Sequence, residues 1–178
     1  MHVTIAFSGA AGTGVNAAGL FLGEILANHG YTIRADKEYA SIIKGGNNSF
    51  FLSISDQGEV KLSKKIDLFI AFDEYAISKN QEVYDLQQIV NLKGQSARYI
   101  NTFACGVCLR MTNISLDEGK EIIEKYIKKE YREQNFADLQ NGFAYGSELC
   151  GTGCTTIHFS QKIAPPKKLM FGNELLGS

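Results

Sequence analysis

The sequence predicts an α/β fold, a three-layer Rossmann-like domain with a mostly parallel sheet and helices on both faces. Three observations predict it. A short continuous apolar run, Val3 to Ser8, has the length and composition of a strand buried on both faces. A glycine-rich turn, Gly9-Ala-Ala-Gly12-Thr-Gly14, follows it directly and opens an alanine- and leucine-rich helical pattern. A second, shorter apolar run from Tyr31 to Ala35 then completes a strand–helix–strand unit, which places any ligand crevice at the carboxyl ends of the strands.

From Val15 to His29, the residues Val15, Ala18, Leu22, Ile25 and Leu26 recur at helical spacing, and Gly30 stands where a left-handed cap ends a helix. Lys44-Gly45-Gly46-Asn47-Asn48 reads as a loop rich in exposed backbone donors. Phe50 to Ser55 alternates as a third strand, and Gln57-Gly58 predicts a hairpin into Val60 and Leu62. Asp67 to Phe72 is the clearest core strand, with Asp73-Glu74 starting a helix that runs to about Gln88. Ile89-Val90 and Tyr99-Ile100 read as short strands, and Asn101-Thr102 as the cap of a helix from Phe103 to Met111. Ser115-Leu-Asp-Glu118 fits a capping box, with Ile122, Ile123, Tyr126 and Ile127 on one side of the helix behind it. Phe136, Leu139, Phe143 and Ala144 predict a last helix, and Pro165-Pro166 with Lys167 and Lys168 an extended, exposed linker.

Composition excludes several function classes. With 178 residues, 44% hydrophobic and 21% charged, the chain has the size and core of one ordinary domain. A net charge of -1 and no polybasic arm give no reason to expect nucleic acid. No apolar run approaches the roughly 20 residues that cross a bilayer, and the first residues lack a signal-peptide pattern. A cytoplasmic location and reduced thiols are expected.

The glycine turn carries the candidate chemistry. Free N–H groups at a helix start, with the positive end of the helix dipole, favour an anion, most often phosphate. The spacing Gly9-x-x-Gly12-x-Gly14 is the dinucleotide fingerprint with its long gap first, and no Gly-Lys-Ser/Thr closes it as a P-loop. The candidate binding residues are Gly9, Gly12, Thr13, Gly14, Lys44, Gly45, Gly46 and Asn47. Two loops distant in sequence would meet at one edge of the sheet. A plain glycine-lined junction is the bland alternative. Asp36, about 20 residues beyond Gly14 where a ribose-binding acid belongs, supports a rival NAD(P)-binding dehydrogenase or redox-sensing domain; a solvated loop acid is the bland reading. Cys105-x-x-Cys108 and Cys150-x-x-x-Cys154 could supply four zinc ligands, but the first pair lies in an apolar helical run where cysteine acts as a small hydrophobe. No metal site is expected, and no catalytic residue. Glu38 and Tyr39 are either interface residues or buried structure.

Gly9-Ala-Ala-Gly12-Thr-Gly14-Val15, Glu38-Tyr39, Ser41, Lys44-Gly45-Gly46 and Ser49 together resemble the γ subunit or domain of the 2-oxoacid:ferredoxin oxidoreductases, of 2-oxoglutarate or pyruvate type. Asp67-Leu-Phe-Ile-Ala-Phe-Asp73, Asn101-Thr-Phe-Ala-Cys-Gly106, and Asn135 with Gly142-Phe143 extend the likeness over most of the chain. Lys44 stands where the family usually carries Arg, so a bidentate grip would become a point charge. The connection from Asp67 to Asn101 also looks shorter than in the family. Leu169-Met-Phe-Gly-Asn-Glu174 resembles the opening of a thiamine-domain subunit, so the expected division is a γ-type domain over 1–163 and a linker with the start of a further domain over 164–178. The resemblance implies a complex that oxidatively decarboxylates a 2-oxoacid to acyl-coenzyme A. Thiamine diphosphate and iron–sulfur clusters would sit on thiamine-binding and ferredoxin-like partner subunits. This domain would assist assembly and the placement of coenzyme A, would bind no cofactor tightly, would be inactive alone, and would form a homo-oligomer when isolated. A purely structural assembly domain differs only in lacking ligand contacts.

Overall fold

The computed structural model describes residues 1–39, 46–61, 63–153, 156–160, 164–167 and 170–171. The chain divides into two compact units, one made of 1–93 with 161–178 and the other of 94–160.

The first unit is built on a six-stranded sheet. Its strands are β1 (His2–Ala10), β2 (Thr32–Tyr39), β3 (Asn47–Ser55), β5 (Leu68–Ala71), β7 (Ile89–Asn91) and β8 (Met170–Phe171), ordered β7-β5-β1-β3-β2-β8. Two further short strands, β4 (Lys65–Ile66) and β6 (Asp85–Leu86), pair separately. β5 and β7 run parallel to β1, and β8 parallel to β2, whereas β3 is antiparallel to both β1 and β2. Every strand of the sheet except β3 therefore points the same way. The expected strand–helix–strand unit is present but split, because β3 lies between the two strands that helix α1 (Val15–Asn28) connects.

Register assigns the faces. Ile5 opposes Leu52 and Phe7 opposes Phe50 on one face; Ala6 opposes Phe51 and Ser8 opposes Ser49 on the other. α1 covers the first face so closely that a Cβ on Gly19 would stand 2.1 Å from the Phe50 ring. Burying that ring completely contributes about 1.5–3 kcal/mol. Helix α2 (Glu74–Gln81) covers the second face, where Ala76 and Ile77 pack with Ala6, Phe51, Phe69 and Tyr84. Both faces are thus helix-covered, which is why β5 reads as four consecutive buried residues rather than as an alternation.

Several local expectations hold. Gly30, at φ 89°, ends α1 in a Schellman arrangement, with Tyr31 N–H donating to the Leu26 carbonyl (3.2 Å) and Gly30 N–H to Ala27 (3.0 Å). Asp73 caps α2 by accepting from Ala76 N–H at 2.8 Å. Others are corrected. α2 ends at Gln81 instead of about Gln88, because Tyr84 turns into the core against the Phe51 ring, 4.8 Å between centroids. The hairpin after Gln57-Gly58 is absent among the described residues 59–61; Leu62 lies outside them. β2 extends to Tyr39, so Asp36 is a strand residue. The stretch Pro165 to Lys167 is exposed as expected, yet Lys167 is tied down, its N–H donating to Ala27 and its Nζ to Thr32 Oγ1 at 3.0 Å each.

The second unit is helical: α3 (Ile100–Met111), α4 (Leu116–Tyr126) and α5 (Lys129–Gly151). Tyr99 caps α3 and Ile100 is its first residue, so the strand expected at Tyr99-Ile100 and the cap expected at Asn101-Thr102 give way to helix. The apolar run simply extends further back than the capping signal indicated. Ser115 caps α4, accepting from Glu118 N–H, as the capping box predicts. α3 and α5 touch backbone to backbone through glycine: a Cβ on Gly106 would meet the Leu139 carbonyl at 2.1 Å, and one on Gly142 the Phe103 carbonyl at 2.0 Å.

Candidate functional site

The glycine turn leaves the carboxyl end of β1, and its three glycines do different work. Gly9 is buried, and a Cβ there would stand 2.6 Å from Cβ of Phe72. Its role is close packing. Gly12 and Gly14 both take left-handed φ, 85° and 86°, and Gly12 borders open space. These two shape the turn and leave it accessible. Thr13 braces it, with Oγ1 donating to the Ala10 carbonyl at 2.7 Å.

The second loop is brought to the same edge. Ala11 N–H donates to the Gly46 carbonyl at 2.9 Å, directly before Ala10 and Asn47 pair in register. The reason is the reversed direction of β3. An antiparallel strand begins where β1 and β2 end, whereas the start of a parallel strand would lie at the opposite edge. The expectation of a shared edge is met for Gly46 through this antiparallel strand, not through one parallel sheet. Lys44 and Gly45 lie outside the described residues.

Beneath the junction lies a buried polar network that motif reading did not find. Ser8 Oγ stands 2.7 Å from Asn47 Oδ1 and 2.8 Å from Ser49 Oγ. Asn80 Nδ2 donates to Ser8 Oγ (3.1 Å) and to the Ala76 carbonyl (2.8 Å), and Asn80 Oδ1 accepts from Ser49 Oγ (3.3 Å). Asn47 Nδ2 reaches Asp73 Oδ1 at 3.5 Å, while Asp73 Oδ2 accepts from Ala10 N–H at 3.0 Å. Asn47 is therefore turned inward and buried, its amide consumed by Ser8 and Asp73. Lys79 Nζ donates to the Asn47 carbonyl at 3.2 Å, which adds a cation beside the junction. The signal for this network was available: serines interrupt apolar strands, and Asn80 sits inside a helix where asparagine is disfavoured unless its side chain is bonded.

The turn fits an anion at its outer rim. Ala10, Ala11 and Thr13 spend their N–H groups on Asp73, Gly46 and Ala10. Gly12, Gly14 and the first residues of α1 remain at the rim, and no acidic residue stands in the first turn of that helix. Between Gly9 and Ala17, Thr13 supplies the only hydroxyl.

Asp36 is removed from the dinucleotide position. Arg34 holds it in a fork, Nε to Oδ2 at 2.9 Å and Nη2 to Oδ1 at 3.1 Å. With β3 inserted, the end of β2 also lies two strand spacings, about 9–10 Å, from β1. Neither the ribose-binding nor the solvated-loop reading of Asp36 describes it. Glu38, two residues on, accepts from the hydroxyl of Tyr84, whose pKa is raised by burial first and by this neighbour second. Tyr39 is exposed.

In the helical unit, Cys105 and Cys108 are buried in α3, and burial pushes both thiols well above their ordinary value. Cys150 Sγ lies 3.8 Å from Thr156 Oγ1, and Cys154 is outside the described residues. Among the described residues, no group of three or more His, Cys, Asp and Glu is placed to hold a metal ion. The motifs around Asn101–Gly106 and Asn135–Phe143 meet each other here: Thr102 Oγ1 donates to Asn135 Oδ1 at 2.6 Å, and Gly142 seats against Phe103. They hold two helices together. Among the described residues, no helix is long and apolar enough to cross a membrane.

Comparison with known proteins agrees with this architecture. Residues 4–90 match the family described as pyruvate ferredoxin/flavodoxin oxidoreductase. A 2-oxoacid:ferredoxin oxidoreductase subunit alpha of Sulfolobus sp is 37% identical over 90 residues, 51% of this chain and 14% of that protein. The structure of 2-oxoglutarate:ferredoxin oxidoreductase from Magnetococcus marinus, with 2-oxoglutarate, coenzyme A and succinyl-CoA bound, superposes with a TM-score of 0.77 at 19% identity, covering 92% of this chain and 34% of that one. The γ subunit of a keto/oxoacid ferredoxin oxidoreductase from Geobacter sulfurreducens PCA gives 0.64 at 20% identity, covering 82% and 99%. The likeness to both structures is one of fold. This chain spans only a small part of the subunit alpha relative and about a third of the first structure.

Proposed function

We propose that this chain, whose residues 4–90 belong to the pyruvate ferredoxin/flavodoxin oxidoreductase family, is the γ-type part of a multi-subunit 2-oxoacid:ferredoxin oxidoreductase. The complex oxidatively decarboxylates a 2-oxoacid of the 2-oxoglutarate or pyruvate type to acyl-coenzyme A. Carbon–carbon cleavage and electron removal belong to thiamine diphosphate and iron–sulfur clusters on thiamine-binding and ferredoxin-like partner subunits. This chain contributes assembly and the placement of coenzyme A, with 1–163 as the γ-type domain and 164–178 leading toward a further domain.

The observation that carries the reading is the junction of two loops at one sheet edge, fixed by the Ala11–Gly46 hydrogen bond. Coenzyme A supplies, when bound, the thiol that accepts the acyl group. The residues of this chain suited to its phosphates are Gly12, Gly14 and the first N–H groups of α1, with Lys44 and Gly45 from the second loop, while Thr13, both of whose donors go to the Ala10 carbonyl, braces the turn. Gly9, Gly46 and Asn47 support them from behind.

The test is reconstitution with thiamine-binding and ferredoxin-like subunits. Ferredoxin reduction should require this chain, a 2-oxoacid and coenzyme A, and no reduction by the complete set would overturn the reading. Lys44→Ala should weaken coenzyme A binding by about 1–3 kcal/mol, the range for charged hydrogen bonds. Equal affinities would remove Lys44 from the site.

A further inference from the structure

The last turn of α1 has no basic residue of its own to meet the negative end of the helix. Lys167 arrives there from the far end of the chain. Its backbone N–H donates to the Ala27 carbonyl, which also receives Gly30 N–H, both at 3.0 Å, and its Nζ donates to Thr32 Oγ1 at 3.0 Å. Shortly before Lys167 the chain passes Gly30 so closely that a Cβ there would stand 2.5 Å from the Ala164 carbonyl oxygen. Gly30 therefore serves twice, for its left-handed φ of 89° and for this passage. Beyond Lys167, Met170 and Phe171 pair with Arg34 and Ala35 as β8, parallel to β2. All of these contacts lie within the first unit. β8 is too short to hold the arrangement by itself, since two paired residues make a marginal ladder. It also covers only Arg34 and Ala35 of the eight residues of β2, and among the described residues no other strand pairs with that outer edge. Pro165 and Pro166, between the anchors at Ala164 and Lys167, restrict the free chain and so lower the entropy lost on docking. The two anchors are what hold the edge closed.

We propose that residues 164–171 form a strap that closes the outer edge of β2 against strand addition by a second copy of this chain, and that Lys167 keeps it shut. The inference stands apart from the proposed function above. An open edge is a template for the same edge of another molecule, and two copies meeting β2 to β2 pair antiparallel about a twofold axis. Charge selects the register. With the axis at Asp36, Arg34 of each copy stands opposite Glu38 of the other, and Lys37 opposite Ala35. The two facing Asp36 carboxylates are each already neutralised by their own Arg34. This register needs Arg34 and Ala35, the two residues that β8 occupies, so the strap must open before a second copy can pair.

The experiment compares the full chain with its Lys167→Met and Lys167→Arg variants. Methionine keeps an unbranched apolar stem and drops the ammonium, whereas arginine keeps a charged donor for Thr32. Three readouts are taken: the rate of chymotryptic cleavage after Phe171, the dimer fraction by sedimentation velocity, and the urea midpoint. Lys167→Met should be cut about tenfold faster, because cleavage follows the population of the locally open strap. It should also show a larger dimer fraction at equal concentration, with the urea midpoint unchanged. Lys167→Arg should match the wild type in all three. Adding Glu38→Lys to Lys167→Met should return the dimer fraction to the wild-type level, since Arg34 would then face a like charge. Equal cleavage of the wild type and Lys167→Met would overturn the proposal. So would cleavage that quickens only as far as the urea midpoint falls, since the strap would then open only with the whole unit. Faster cleavage without more dimer, or a dimer that survives Glu38→Lys, would overturn the pairing of two copies at this edge.

Discussion

A Cβ on Gly142 would stand 2.0 Å from the carbonyl oxygen of Phe103. The α3–α5 contact is therefore set by backbone, and no side chain can yield to relieve an added methyl. Gly142→Ala should destabilise the helical unit by about 3 kcal/mol or prevent its folding, at or beyond the upper end of overpacking costs. Gly151, in the same helix, faces open space. There alanine should change stability by no more than about 1 kcal/mol, in the stabilising direction. Urea unfolding of both variants checks the contrast, and equal effects would contradict the close crossing.

The glycines of the turn should separate by chemistry. Asparagine tolerates left-handed φ, so Gly12→Asn should fold with a loss below about 1 kcal/mol. Gly12→Val should cost more, through its β-branched side chain at positive φ. Gly9→Asn has Phe72 in the way and should lose about 3 kcal/mol or more. A reversed order in thermal unfolding would refute the division between packing and turn-forming glycines.

Alkali should weaken the helical unit through its two buried thiols. Cys105 and Cys108 have ordinary values near 9.0 and raised values in the fold. The unfolded chain thus releases protons above about pH 9 that the folded chain retains. Their contribution is complete below pH 9 and falls as pH rises, by about 1.4 kcal/mol per thiol per pH unit, until the folded thiols also ionise. Urea midpoints between pH 8 and 10.5 should fall steeply for the wild type and less steeply for a Cys105→Ala/Cys108→Ala chain. Parallel slopes would mean that neither thiol titrates as buried.

Dinucleotide should not bind. The bidentate Arg34–Asp36 pair occupies the carboxylate that a ribose would need, and β3 separates it from the turn. Titration with NADH should show no saturable signal at millimolar concentration. Binding lost in Asp36→Ala would restore the rival reading.

Much of the fold was legible because its signals are local. Ser115 with Glu118, Gly30 after α1, and the apolar run of β5 each specify their own element within a few residues. The insertion of β3 was not legible. An all-buried strand reads alike whether parallel or antiparallel, and sequence order suggests that β1 and β2 are neighbours. Of the candidate site, Gly12 with Gly14 were readable from glycine's conformational freedom, whereas the shared edge was expected from one parallel sheet and arises instead from the antiparallel β3. The turning of Asn47 into the interior was not, since it depends on Ser8 and Asn80, distant in sequence. Asp36 misled because a spacing rule assumes strand adjacency that β3 abolishes.

The central place of β3 also orders events during folding. α1 links two strands that never touch, so its crossover cannot close onto a finished sheet until residues near Ser55 are available to fill the gap. β2 and β3 can pair early as a hairpin, whereas β1 must wait some forty to fifty residues of chain for its nine-residue partner. Until then β1 presents a long apolar edge on each side. A nascent chain stalled before Ser55 would carry that edge into solution, where other strands can pair with it. Slowed translation over 40–55 should therefore convert folded product into aggregate more effectively than slowing anywhere after β5.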